Sequence, residues 1–164
     1  MDDIKLNLGC DRFKLTGFIN IDINPEVDPN ICMNLKDIKK YFENSSTDFI
    51  IANHVLEHLS LEEATNLLKD CFDILKPFRS LLVVVPDYMK CYNLSIELAE
   101  RVIIAGGAHQ ILFDTDRLSS MLSKSGFRCF TEITNLNQVP YLLVSNVLDP
   151  QPDAWQTAFI ALKT

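Results

Sequence analysis

Two short apolar segments, Lys5-Leu-Asn-Leu-Gly9 and Gly17-Phe-Ile-Asn-Ile-Asp22, read as strands, and only about eight residues separate them. A crossover between parallel neighbours takes roughly a dozen residues or more, most often through a helix. The first crossover helix is therefore expected to be vestigial or absent. A third short strand is expected at Asn30–Met33, and Thr47-Asp-Phe-Ile-Ile-Ala52 is a continuous apolar run of the buried parallel type. Ser60 and Glu63 form a capping box ahead of Ala64, Leu67, Leu68, Cys71, Phe72 and Leu75, which recur on one helical face. Pro77 is expected to stop that helix, and Leu81–Val85 to form the next strand.

A further helix is expected over Asn93–Ile104, before Gly106-Gly107. Another should run from an Asp114 or Thr115 cap through Leu118, Met121 and Leu122 to Gly126. Phe127–Ile133 and Trp155–Leu162 read as late strands, the second after the Pro-rich stretch Asp149-Pro-Gln-Pro-Asp153. Strands alternating with helices predict an α/β sandwich with a mainly parallel sheet. The two late strands, joined without a helix, predict a C-terminal antiparallel hairpin. A single domain over residues 1–164 is expected at this length.

Composition narrows the function. Lys+Arg is 15 against an Asp+Glu of 22, a formal net charge of −7. An acidic surface argues against a nucleic-acid partner and against docking on anionic lipid. The N-terminus, Met-Asp-Asp-Ile-Lys, carries no signal-peptide pattern, and the longest apolar runs, Leu81–Pro86 and Tyr141–Val144, are far short of a membrane span. The cysteines at 10, 32, 71, 91 and 129 show no Cys-x-x-Cys spacing. A reducing, cytoplasmic setting is expected. A small-molecule substrate is the expected partner, and a homodimer is compatible with the sequence.

In open parallel sheets, ligands sit at the carboxyl ends of the strands, near the point where strand order reverses. That rule gathers Gly9–Asp11, Asp22, Asn34, Asn53, His54 and Asp87 around one crevice. Gly9 lets backbone approach a ligand closely. Asp22 closes its strand where a carboxylate can accept both hydroxyls of a ribose, although the full G-x-G-x-x-G fingerprint is missing. A strand-ending turn explains both residues equally well.

The motifs Leu6-Asn-Leu-Gly-Cys-Asp11, Gly17-Phe-Ile-Asn-Ile-Asp-Ile-Asn-Pro25, Asp48-Phe-Ile-Ile-Ala-Asn-His-Val-Leu-Glu-His-Leu59, Leu75-Lys-Pro77 and Leu81–Asp87 together resemble the class I S-adenosylmethionine-dependent methyltransferases. The likeness is to the compact branch of the methyltransferase type 11 group and runs from about residue 4 to 130. It implies a Rossmann-like sandwich and S-adenosylmethionine as cofactor. Leu8, Gly9 and Cys10 would line its methionine part, Asp22 would hold the ribose, and Ile23 would lie against the adenine. Asn34 and Leu35 fall where the family has Asp-Leu at the adenine amino group. Asn53 and His54 would flank the methionine moiety.

Two positions depart from the family. Asp11 replaces a glycine, placing a carboxylate near the cofactor's own carboxylate or beside its ammonium or sulfonium. Lys76-Pro-Phe-Arg-Ser80 lacks the usual pair of turn glycines. A partner-binding protein of the same fold with little or no turnover is the alternative these departures suggest. A nicotinamide-dependent oxidoreductase is a third reading, weakened by the missing helix N-terminus on which a pyrophosphate would rest.

His54-Val-Leu-Glu-His58 matches the H-x-x-E-H zinc-peptidase pattern, but a buried-type strand reaches Asn53 and a new helix starts at Ser60, so no helix is expected through it. In some relatives an acidic residue and a Glu-His pair at these positions hold a divalent ion, which leaves a His54/Glu57/His58 site as the alternative. No metal is expected, and Glu57 and His58 should fix the loop by hydrogen bonds. For a base, His109 on a Gly-flanked loop is the first candidate, ahead of Asp87 and Tyr88. The residues Met89–Gln110 are the expected wall for a small saccharide or metabolite acceptor.

Overall fold

The computed structural model describes residues 3–104, 107–134 and 155–164, with residues 103 and 104 described by their backbone alone. Gly106, the Tyr141–Val144 run and the Pro-rich stretch at 149–153 lie outside the described residues. Seven strands form one sheet: β1 (Lys5–Leu8), β2 (Ile19–Asp22), β3 (Ile31–Cys32), β4 (Thr47–Asn53), β5 (Leu75–Pro86), β6 (Cys129–Glu132) and β7 (Gln156–Leu162). Their spatial order is β3-β2-β1-β4-β5-β7-β6. Strands β1 to β5 pair in parallel, while β7 runs antiparallel to both β5 and β6. This is the expected Rossmann-like α/β architecture with its terminal antiparallel hairpin.

Helix α1 (Leu61–Ile74) starts where expected. Ser60 accepts from the Glu63 amide, and Glu63 accepts from the Ser60 amide in return. Its apolar stripe, Ala64, Leu67, Leu68, Cys71 and Ile74, packs with Ile50, Ala52, Leu81, Val83 and Val85 of the central strands. Helix α4 (Thr115–Lys124) adds Leu118, Met121 and Leu122 to that core. The alternate residues Ile51, Leu82 and Val84 face the other side, where they join Leu15 and Ala158. Strand periodicity thus sends one row to each side of the sheet. Among the described residues, no helix is long and apolar enough to cross a membrane.

Four expected boundaries shift. Helix α1 ends at Ile74 rather than at Pro77, because a residue before proline is pushed out of helical geometry. Strand β5 begins at once at Leu75, and an irregularity at 76–79 sets Thr47 against Leu75 but Phe49 against Ser80. Phe78 takes φ 63° there, filling with a bulky side chain a position where the resembled family has glycine. The helix expected over Asn93–Ile104 is two helices, α2 (Tyr88–Leu94) capped by Asp87 and α3 (Ile96–Ile104), with extended Ser95 between them. Ser95 Oγ accepts from the Leu98 amide, a local bond that competes with a continuous helix. Finally, Phe127 belongs to the core rather than to β6. Its amide bonds Leu122 O beyond Gly126, closing α4 as a C-terminal cap.

The crossover from β1 to β2 contains no helix, as the spacing requires. Three asparagine side chains hold it instead. Asn7 Nδ2 donates to Phe13 O and to Asn20 Oδ1, each at 2.9 Å. Asn20 Oδ1 accepts from the Leu15 amide at 2.8 Å, while its Nδ2 reaches Leu15 O at 3.2 Å and Asn30 Oδ1 at 2.9 Å. Asn7 and Asn20 are buried on the sheet face where a crossover helix would otherwise lie. They supply the partners that helical bonds would have given the loop backbone. Replacing Asn20 with Ala leaves the Leu15 amide and carbonyl without these partners. We expect a loss of about 2–4 kcal/mol in urea unfolding, one to two buried groups' worth. A loss below about 1 kcal/mol contradicts this role for the network.

Candidate functional site

Strand order reverses between β1 and β4, and a cleft of about 570 Å³ opens at their carboxyl ends. Gly9 follows β1, Asp22 ends β2, Asn34 precedes the 3-10 turn Leu35–Lys40, and Asn53 ends β4. All four line the cleft with Asp11, Ile23, Leu35 and His54. Strand-end position places six of these in one crevice, and the family resemblance adds Ile23 and Leu35. The fold brings the eight together, while Asp87, expected in the same crevice, is buried and does not line it. Leu8 and Cys10, expected beside them, are buried and do not line it. The pleat of β1 sends Leu8 into the main core. The Cys10 amide is bonded to Ile21 O, and burial followed by the Asp22 charge pushes its thiol pKa up.

Left-handed backbone occurs at three positions of this mouth. Gly9, Asp11 and His54 all have positive φ, at 59°, 42° and 55°. The Asp11 amide donates to Asp22 Oδ2 at 2.8 Å, and the Asn24 amide donates to Asp22 Oδ1 at 2.9 Å. Asp22 thereby fixes both flanking turns, and each oxygen keeps acceptor capacity toward the cleft. Asn34 Oδ1 accepts from the Lys36 amide as a cap, leaving its Nδ2 to donate. Phe13 and Ile23 line the cleft with 67% and 64% of their surface exposed, large for apolar side chains.

The charge pattern is one-sided. Asp11, Asp22 and Glu63 line the cleft, and no Lys or Arg lines it among the described residues. Such a wall suits a cationic ligand and repels phosphate. The sequence reading treated Glu63 only as a cap and did not single out Phe13, although Phe13 lies in the helix-less crossover the strand spacing had identified.

His54 holds the floor. Its Nδ1 lies 2.9 Å from Glu57 Oε1 and its Nε2 lies 2.9 Å from Gln156 Oε1. Both ring nitrogens face acceptor oxygens, so the doubly protonated ring satisfies both bonds. Burial pulls the His54 pKa down, but the hydrogen bond and charge of Glu57 and the bond to Gln156 outweigh it, and the net shift is upward.

His54 also lines a second cavity of about 440 Å³, together with Pro86, Leu98, Arg101, Val102, His109 and Trp155. His109, the first candidate base, therefore stands across from His54. Its Nδ1 donates to Val102 O at 2.7 Å, which leaves Nε2 with the lone pair. Asp87 does not fill a base's role. It is buried, its Oδ1 caps α2 through the Lys90 amide, and its Oδ2 accepts from Thr157 at 2.6 Å and Thr115 at 3.3 Å. Tyr88 is half-buried and lines neither of these cavities.

Glu57, His58 and His109 bring three metal-ligand atoms within 4.8 Å of one another. His58 Nδ1 bonds Ala108 O at 3.2 Å, which, as at His109, leaves Nε2 available. Glu57 is fully buried, and its Oε2 has no hydrogen-bond partner among the described residues. This donor set can hold a divalent ion. His54 is not in this set, and its Nδ1 instead lies 2.9 Å from Glu57 Oε1. The H-x-x-E-H segment forms a short 3-10 turn, Leu56–His58, rather than the continuous helix a zinc peptidase needs.

No family model and no curated protein sequence matches the chain. Solved structures do resemble it. A SAM-dependent methyltransferase from Archaeoglobus fulgidus superposes with a TM-score of 0.73 at 19% identity, over 98% of this chain and 86% of that one. A SAM-dependent methyltransferase from Thermotoga maritima gives 0.69 at 14% identity, over 100% of this chain and 83% of that one. A phosphoethanolamine N-methyltransferase from Haemonchus contortus, solved with S-adenosyl-L-methionine, gives 0.59 at 12% identity, over 99% of this chain and 49% of that one. At these identities the likeness establishes the fold.

Two measurements check this geometry. A Cβ at Gly9 would sit 2.6 Å from Val55 Cγ2 in a left-handed conformation. Gly9→Ala should therefore cost about 1–3 kcal/mol in urea unfolding. An unchanged midpoint contradicts the close approach of β1 to Val55. For His54, NMR titration of the ring should give a midpoint above about 6.5. With the folded pKa raised, the stability tied to its pairing is fully present below that pH and is lost as pH rises through the folded value. A midpoint at or below about 6.5 overturns the assigned bonding.

Proposed function

We propose that the cleft binds S-adenosylmethionine and that the chain transfers its methyl group to a small-molecule acceptor. The observation that carries this reading is the cleft's charge. It lies at the sheet's switch point, is walled by Asp11, Asp22 and Glu63, and has no Lys or Arg in its lining among the described residues. A ligand carrying a sulfonium and an ammonium fits those carboxylates, and a dinucleotide pyrophosphate does not. The absence of a helix from the first crossover also removes the N-terminal amides that a pyrophosphate would use. The methyltransferase fold of the neighbouring structures supports the same choice.

When bound, the cofactor supplies a methyl carbon activated by a positive sulfur, which attack by an acceptor lone pair releases as the carbon–sulfur electron pair returns to sulfur. The chain's own residues bind and orient. Asp22 accepts from the ribose hydroxyls with the capacity left after its bonds to the Asp11 and Asn24 amides. Phe13, Ile23 and Leu35 offer apolar surface to the adenine, and Asn34 offers its amide to the ring edge. Asp11 and Asn53 face the amino-acid end. His109, held by Val102 O so that Nε2 is free, takes a proton from a hydroxyl acceptor.

Thermal unfolding with S-adenosylhomocysteine, using NADH as the control, tests the cofactor. Ligand at a hundred times its Kd contributes about 2.7 kcal/mol. A domain of this size should then show a rise in Tm of roughly 5–11 °C. Asp22→Ala should weaken binding by about 10- to 150-fold, the range for hydrogen bonds to a charged group. A shift with NADH and none with adenosylhomocysteine would falsify the assignment.

A further inference from the structure

The two cavities that meet at His54 differ in charge. Among the described residues, the cofactor cleft is lined by three carboxylates and no Lys or Arg. The second cavity is lined by Arg101 and His109, with no carboxylate in its lining among the described residues, and His54 lines both. Arg101 thus gives the second cavity a positive group that the first lacks among the described residues. We propose that this second cavity binds a small planar molecule bearing a carboxylate or similar anionic group, and that such an organic acid is the acceptor class. The proposal rests on the methyl-transfer reading for the word acceptor, but the anion site itself does not.

Three features carry the assignment. Leu98, Arg101 and Val102 lie at i, i+3 and i+4 on α3, so one helix face presents an apolar strip with a guanidinium beside it. Pro86 and Trp155 add flat apolar surface to the same cavity, and the Trp155 ring lies 5.4 Å from the His54 ring at an interplanar angle of 33°. A planar ligand can stack there while its anionic group meets Arg101, a residue suited to forked recognition of carboxylates. The charge pairing also suits the chemistry, because a cationic donor in one cavity and an anionic acceptor in the other attract where the two cavities meet at His54. His54, with its Nδ1 2.9 Å from Glu57 Oε1, is held where the two cavities meet.

Trp155 is the chain's one tryptophan, so its fluorescence reports this cavity directly. The probes are benzoate and its neutral analogue benzamide, titrated with and without saturating S-adenosylhomocysteine. Benzoate should perturb Trp155 emission saturably and bind at least about tenfold more tightly than benzamide, given the strength of charge-assisted hydrogen bonds. Arg101→Gln should bring the two within about threefold while leaving the adenosylhomocysteine thermal shift intact. The proposal is overturned if benzamide binds as well as benzoate, if benzoate gives no saturable change, or if Arg101→Gln preserves the preference. An adenosylhomocysteine shift without a benzoate response leaves the cofactor reading standing and removes this one. A benzoate response without an adenosylhomocysteine shift supports the anion site and removes the methyl-transfer reading.

Discussion

The buried amides of Asn7 and Asn20, with Asn30 behind them, carry the rest of this structure. A parallel pair of strands normally needs a helix to return the chain, and here the return is too short for one. The loop backbone still needs hydrogen-bond partners where it lies on the sheet. Asn20 meets both the amide and the carbonyl of Leu15, and Asn7 meets Phe13 O. With the loop pinned, the Asp11 amide reaches the Asp22 carboxylate, and the ends of β1 and β2 become one rigid lip. The cleft's acidic wall follows from that contact.

The floor depends on a second polar construction. His54 adopts a left-handed backbone at the end of β4, where Glu57 and Gln156 take its two ring nitrogens. One imidazole is therefore a wall of two cavities with different chemistry. A buried pair of this kind is costly to desolvate and weak as a source of stability. It instead fixes the position of a ring between an acidic cleft and an anion-accepting pocket. His109 is placed the same way, through a bond from Nδ1 to Val102 O that sets its tautomer.

The strand and helix pattern was readable because it depends on local periods and caps. The continuous apolar runs of β4 and β5, the Ser60–Glu63 box and the stop at Gly126 each act over a few residues. The split of α2 from α3 was missed because Asp87 and Ser95 both cap, and two short helices carry much the same apolar spacing as one. Asp87 looked available as a base. Its occupation by Thr115 and Thr157 involves partners 28 and 70 residues away, which no local pattern carries.

The site divides along the same line. Gly9, Asp11, Asp22, Asn34 and Asn53 stand at or just beyond strand ends, and strand ends are set by the sequence's own hydrophobic runs. Their common crevice follows from the parallel order those runs imply. Which side chains are free to act is a different property, set by burial and by neighbours distant in the chain. It withdrew Leu8, Cys10 and Asp87, and it brought Phe13, His58, Glu63, Arg101 and Trp155 to the two cavities. The His54–Gln156 bond spans 102 residues. Chemistry of that reach exists only once the sheet has folded.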